Sequence, residues 1–270
     1  MLRQRALVVI ALLPIGLVLI YLGGWAFSTL VMLILGLAAW EYGRLFKSGG
    51  FQPADVLLIG GTVLLAFGRA WNGFASADWI LGLLVLASMT YHLLAYERGR
   101  DQAASDFAIT LSGILYLGWL GAYLISLRQL PNGMWWILLV LPSVWLADSG
   151  AYFVGRAIGK HKFSPRLSPK KTWEGFFGGI VFGVLGGALL AYILNLFEPG
   201  VITPLQGLIT GLLLALITPL GDLGESMVKR QFGIKDSSNL IPGHGGVFDR
   251  IDSWLWAGVI GYYLILWLFL

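Results

Sequence analysis

Apolar runs separated by short charged or glycine-rich breaks fill the chain from one end to the other. Runs of spanning length lie at about 6–22, 25–40, 54–70, 78–96, 106–127, 134–151, 174–196, 201–221 and 251–270. A helix of about 20 apolar residues crosses the hydrocarbon core with its backbone hydrogen bonds made internally, so each run predicts a membrane helix. The expected fold class is all-α: a polytopic integral membrane protein with about nine transmembrane helices. The first run follows Arg3 and Arg5 and could pass for a signal peptide. No small-residue cleavage site leads into a soluble chain, however, and another run starts at Trp25, so it is read as the first helix. The third run is short and flanked by Gly60, Gly61 and Gly68, which leaves the third and fourth as either spanning or re-entrant.

Composition agrees with lipid as the solvent. The chain of 270 residues is 57% hydrophobic and only 12% charged, with a mean hydropathy of +0.79. Soluble domains carry about 25% charged residues, so this chain lacks the polar surface to cover a water-soluble globule of its size. Its 12 Trp and 10 Tyr suit the bilayer interface, and its 37 Gly suit close helix contacts. The absence of cysteine excludes disulfides, thiolate metal sites and cysteine nucleophiles.

Charge gives the orientation. Nine spans put the N-terminus and every even-numbered loop on one side, which then holds 16 of the 18 Lys and Arg; only Arg69 and Arg128 fall opposite. The basic side is cytoplasmic by the positive-inside rule. The N-terminus is thus expected inside and the C-terminus outside. Three regions are expected: scaffold helices over 1–72, middle helices over 73–132 that serve as scaffold or dimer region, and a catalytic region over 133–270. Gly175, Gly179, Gly183 and Gly187 recur every four residues, a smooth stripe for packing within the chain or for a dimer seam.

The polar chemistry is concentrated in 148–174 and 222–252. The second segment holds nine charged residues, each costing about 2.5–3.5 kcal/mol at a bilayer centre, so it must line water or bind something charged. On a helix Asp222, Glu225, Ser226 and Lys229 share one face, as do Asp249 and Asp252. Pro219 should kink the helix just before the first carboxylate. Oxygen ligands beside Lys and Arg are suited to Mg²⁺ with a polyphosphate, and no histidine cluster suggests zinc. Glu225 and Lys229 could equally form a helix ion pair, and Asp236 could simply shape a turn. Gly245 and Gly246 beside His244 are either structural or allow close backbone approach to a phosphate.

The first segment contains Asp148, Arg156, Lys160, His161, Lys162, Arg166, Lys170, Lys171, Thr172 and Glu174. Attraction of a basic loop to anionic headgroups accounts for Lys160 and Lys162. Lys170, Lys171 and Thr172 sit where a helix begins at Trp173, and a helix N-terminus with a hydroxyl and two ammoniums is an anion site. The Gly155-to-Lys160 spacing is one residue short of a P-loop and lacks the following Ser or Thr.

Together these segments resemble the phosphatidate cytidylyltransferases, also called CDP-diacylglycerol synthases. The family signature runs through Ser226, Val228, Lys229, Arg230, Lys235, Asp236, Ser238, Ile241, Pro242, His244, Gly245, Gly246, Val247, Asp249, Arg250, Ile251 and Asp252 without departure. The blocks Asp148–Tyr152 and Ser168–Gly175 look like family elements as well. The resemblance is strong over 145–255 and mostly hydropathic before that.

The resemblance implies an all-helical homodimer that requires Mg²⁺, with or without a second cation, and converts CTP and phosphatidic acid into CDP-diacylglycerol and pyrophosphate. It makes Asp222 and Asp249 the first candidates for metal ligands, with Asp148, Glu225 and Asp252 as further candidates. Lys229 and Arg250 join the two aspartates as catalytic candidates. Lys170, Lys171, Thr172, Arg230, Lys235, His244, Gly245 and Gly246 are candidates for binding CTP, the lipid phosphate or pyrophosphate. No nucleic acid partner is expected, and the setting is the inner (cytoplasmic) membrane with a cytoplasmic active site. The nucleophile would be a phosphate monoester, largely dianionic near pH 7 because its second pKa is about 6. The barrier is then chiefly electrostatic, which matches carboxylates with many cations and no essential serine or cysteine nucleophile. A CTP-dependent lipid alcohol kinase is the nearest alternative enzyme. A transporter of a phosphorylated solute fits less well, because the charge lies in one half and on one side rather than in paired repeats.

Overall fold

The computed structural model describes residues 2–270 except 242 and 244, with side chains at residue 10 and from residue 12 onward. Helices α1 (Leu2–Leu22), α2 (Gly24–Ser48) and α3 (Asp55–Asn72) open the chain, and a 3-10 turn over Gly73–Ser76 leads into α4 (Ala77–Glu97). Next come α5 (Ala103–Gly113), a π-helical stretch over Ile114–Trp119, α6 (Tyr123–Gln129) and α7 (Gly133–Ile158). A hairpin of β1 (Lys162–Ser164) and β2 (Ser168–Thr172) precedes α8 (Trp173–Phe197), α9 (Pro204–Ile217), α10 (Pro219–Gln231) and α11 (Phe248–Leu268). Among the described residues the chain is an all-helical polytopic membrane protein apart from this hairpin and a single β-bridge between Ile241 and Gly245.

Among the described residues seven helices are long and apolar enough to cross a bilayer. One of them covers 55–97 and so contains both α3 and α4, and a shorter apolar helix lies at 12–22. By length and composition the described residues therefore give seven candidate spans against the nine expected from the apolar runs. Pro219 divides α9 from α10 after Thr218, as a residue without an N–H does when it follows a helix. Thr203 caps α9 in a reciprocal box with Gln206, and Pro204 occupies the first turn, where its missing donor costs nothing.

The chain falls into two units: Met1–Ser126 with Val228–Ile251, and Leu127–Met227 with Asp252–Leu270. In the first, Leu35, Leu58, Ile114 and Leu117 are fully buried. Gly118, within the π-helical stretch, lies against the α3 backbone, where an added Cβ would stand 2.9 Å from Thr62 Cα. Arg69 is buried as well, with its guanidinium 3.7 Å from the centre of the Phe74 ring and Nη1 donating to Ser126 Oγ at 2.9 Å. The face of the aromatic ring partly replaces the water this cation loses.

In the second unit the glycine stripe of α8 is used within the chain. Gly179 lies on Ala147 of α7, Gly183 on Gly211 and Ala215 of α9, and Gly187 on Gly207 and Gly211. Side chains at these positions would meet backbone carbonyls, so small residues set how closely the helices approach. The opposite face of α8, with Phe177, Val181, Leu185 and Leu189, is exposed apolar surface suited to lipid. The hairpin occupies what sequence alone left as a basic loop. Phe163 of β1 anchors it, packing on Trp173 and Phe176 of α8 at ring-centre distances of 4.6 and 5.2 Å.

Candidate active site

The second unit gathers one set of predicted residues. Asp222 and Glu225 stand one turn apart on α10, and Asp252 belongs to α11. Their carboxylates each offer an oxygen within 4.8 Å of the others. Glu225 is 2% exposed and Asp252 8%, whereas Asp222 is only part-buried. Gly221 makes this approach possible: an added Cβ there would stand 2.6 Å from the Asp252 carbonyl oxygen and 2.7 Å from Trp256 Cδ1. Three clustered carboxylates repel one another unless a cation or donors offset the charge. Ser226 Oγ donates to Asp222 Oδ1 at 3.4 Å, and the Ser253 N–H donates to Asp252 Oδ1 at 2.6 Å.

The basic segment supplies a cation to this cluster. Lys171 pairs with Asp222 Oδ2, and Asp148 of α7 is within electrostatic reach of both Lys171 and Asp222. Side chains alternate along a strand, so Lys170 on β2 faces away from Lys171 and is exposed. Thr172 is buried and is the N-cap of α8, its Oγ accepting from the Gly175 N–H at 3.1 Å. Glu174, in the first helical turn, accepts from the Lys160 and His161 N–H groups at 3.1 and 3.2 Å and lies 2.6 Å from His161 Nδ1. A carboxylate at a helix N-terminus is favoured by the dipole, and here it also ties the hairpin to α8.

The first unit holds a second set. Lys229 Nζ donates to Asp249 Oδ1 at 2.6 Å, both side chains being nearly buried. Asp249 Oδ2 accepts from the N–H groups of Gly246 and Ser237 at 2.7 and 3.0 Å and from Ser237 Oγ at 3.1 Å. Gly245 has φ +83°, and a Cβ there would lie 2.6 Å from Asp249 Oδ2. A Cβ at Gly246 would meet Ser237 Oγ, so both glycines of the signature are crowded by protein oxygens. Arg230, Lys235 and Arg250 are exposed, and Arg230 Nη1 donates to the Ile234 carbonyl at 3.1 Å. His244 lies outside the described residues.

Glu41 was given no role by sequence reasoning, yet its buried carboxylate sits at the centre of this second set. The available signal was a single acid at the end of the 25–40 run, a position where a carboxylate is costly and deserves a stated partner.

Similarity to known proteins extends over almost the whole chain. The profile of the cytidylyltransferase family matches residues 3–268. A phosphatidate cytidylyltransferase of Pseudomonas aeruginosa is 37% identical over 272 residues, covering 99% of this chain and 97% of its own length. One from Brucella suis is 37% identical over 264 residues, covering 97% and 92%. One from Synechocystis is 32% identical over 293 residues, covering 97% and 96%. Matches of this extent, running through both carboxylate-bearing segments, make this chain a member of the cytidylyltransferase family.

Proposed function

We propose that this chain transfers the cytidylyl group of CTP to phosphatidic acid, releasing pyrophosphate and forming CDP-diacylglycerol for phospholipid synthesis. The observation that carries the proposal is the Asp222–Glu225–Asp252 cluster with Lys171 against it. A phosphate oxygen of the lipid forms the new bond to the α-phosphorus of CTP. The bond from that phosphorus to the bridging oxygen breaks, and the electron pair leaves with pyrophosphate. The attacking group is already an anion, so the protein's task is to bring two anions together and align them.

The residues fit Mg²⁺. Carboxylate oxygens are the hard donors that ion takes, three of them lie close enough to share one cation, and the ammonium on Asp222 marks where positive charge is drawn. When bound, Mg²⁺ would supply charge neutralisation at the phosphates. Asp222, Glu225 and Asp252 would hold it, with Asp148 beside them. A ligand role for Asp249 would require it to exchange a contact with Lys229 or Ser237 for the cation. Without that exchange its task is to hold the Lys229 ammonium in place. Lys170, Lys171, Lys229, Arg230, Lys235 and Arg250 are assigned to the phosphates of CTP, lipid and departing pyrophosphate. Thr172 sets the start of α8 beside the two lysines.

The charge asymmetry supports an inner-membrane setting with the N-terminus and site cytoplasmic. The homodimer rests on the family resemblance alone, and the glycine stripe packs inside the chain. Purified protein in detergent with labelled CTP, Mg²⁺ and phosphatidic acid tests the reading. Pyrophosphate release with a labelled liponucleotide, both dependent on the lipid, is the expected result. Release of CDP would point to the lipid kinase instead, and no turnover with phosphatidic acid would sink the proposal.

A further inference from the structure

Glu41 belongs to α2 and is 0% exposed. Its Oε1 accepts from Ser238 Oγ at 2.6 Å and from the Val247 N–H at 2.9 Å. Its Oε2 accepts from Ser237 Oγ at 3.0 Å and from the Phe248 N–H at 2.7 Å. A carboxylate buried in a membrane helix is costly unless donors surround it. These four donors all come from a segment about 200 residues further along the chain. Two of them, the N–H groups of Val247 and Phe248, stand at the start of α11, where backbone donors lack partners within the helix. A negative charge at that end is favoured by the helix dipole. Glu41 therefore caps α11 from another helix.

The contact continues toward the proposed chemistry. Ser237 Oγ lies 3.0 Å from Glu41 Oε2 and 3.1 Å from Asp249 Oδ2, so its one proton serves one carboxylate at a time. Asp249 in turn holds Lys229. Gly246 is required beside them, because a Cβ there would stand 2.5 Å from Glu41 Oε2. The connection Glu41–Ser237–Asp249–Lys229 fixes the signature loop and the first turn of α11 together.

We propose that Glu41 is a positioning residue for the cytidylyl-transfer reaction, an inference that rests on that reading of the site. It sets the loop containing Ser237 and Ser238 and the first turn of α11, and through them Asp249 and Lys229. It makes no contact with substrate in this scheme. Glu41→Gln keeps the shape but turns one acceptor oxygen into a donor, facing groups that already donate. Glu41→Asp keeps the charge on a shorter arm. Ser238→Ala removes one of the four donors and leaves the carboxylate in place.

The test compares these variants with the wild type in the detergent assay, normalised to monodisperse folded protein. Expected for Glu41→Gln is a fall in kcat of about 10²-fold, the scale of a misplacement of about 1 Å. KM for CTP and for phosphatidic acid should change less than kcat, since Glu41 itself makes no substrate contact. Glu41→Asp should recover part of kcat, and Ser238→Ala should fall between the wild type and Glu41→Gln. Amide hydrogen exchange over 237–249 should quicken in Glu41→Gln while α8 is unchanged, a readout that does not depend on turnover. Wild-type kcat in Glu41→Gln with unchanged exchange overturns the proposal. If Glu41→Gln does not accumulate, Ser238→Ala at wild-type kcat and exchange overturns it equally. A wild type that forms no liponucleotide fails the cytidylyl-transfer reading, while the exchange comparison still judges whether Glu41 positions the loop.

Discussion

Gly221 on α10 lies directly against the backbone of Asp252 on α11, where an added Cβ would stand 2.6 Å from the Asp252 carbonyl oxygen. This contact brings the carboxylate of Asp252 to those of Asp222 and Glu225. Gly221→Ala should push the two helix segments apart by a fraction of an ångström. The expected result is a loss of turnover of about tenfold or more, with the protein still purifying as folded, because small displacements of positioned groups are costly in rate. Unchanged kcat in Gly221→Ala would mean that the closeness of these helices is irrelevant to catalysis.

Neutralising the clustered carboxylates one at a time tests whether each contributes to holding the cation. Asp222→Asn, Glu225→Gln and Asp252→Asn should each reduce turnover by about 10²-fold or more, as expected where charge neutralisation is the main catalytic term. Because Lys171 pairs with Asp222, Lys171→Met should also lower turnover and raise KM for CTP. A Lys171→Met enzyme with wild-type kinetics would remove the hairpin from the site.

Asp249→Asn should abolish turnover whether Asp249 binds a cation or holds Lys229, so Lys229→Met is the informative partner. If Asp249 serves chiefly to hold Lys229, the double variant should be little worse than either single one, as for residues that act as a unit. Multiplicative losses would show that the two act separately.

The start of α8 offers a stability test that does not depend on turnover. Thr172→Ala removes the cap on Gly175 and should cost about 1 kcal/mol, with Thr172→Ser restoring most of it. Thermal unfolding in detergent reads the difference, and equal midpoints for all three proteins would contradict the cap assignment.

Much of the architecture was legible because membrane helices announce themselves locally. Apolar runs, the break at Pro219 and the helix start at Trp173 follow from solvation, a missing donor and a capping hydroxyl, all acting within a few residues. Asp222 and Glu225 share a face by spacing alone. What sequence did not reveal depends on contacts between distant segments. Asp252 is a candidate for the cluster only by resemblance, and what brings it there is the absence of a side chain at Gly221. Phe163 organises a hairpin only because α8 offers Trp173 and Phe176 to pack on. Glu41 has no partner nearby in sequence, because its donors are the serines and amides of 237–248.

The glycine stripe makes a contrast available within one helix. Gly183→Leu would drive a side chain into Gly211 and Ala215, whereas Leu185→Ala changes a residue that is 65% exposed. The first should fail to accumulate as folded protein, since overpacking a tight contact costs about 1–3 kcal/mol or more. The second should behave as wild type on size-exclusion chromatography. Normal accumulation of Gly183→Leu would show that α8 and α9 are not held as closely as described.

The central claim is that Asp222, Glu225 and Asp252 hold the cation that brings two phosphates together for cytidylyl transfer. Its most direct test is a Mg²⁺ titration of phosphatidic-acid-dependent pyrophosphate release, comparing the wild type with Asp252→Asn. The account predicts that wild-type turnover vanishes under chelation and saturates with Mg²⁺, and that Asp252→Asn needs far more Mg²⁺ or shows no turnover at any concentration. An Asp252→Asn enzyme with the wild-type rate and the same Mg²⁺ dependence would contradict it.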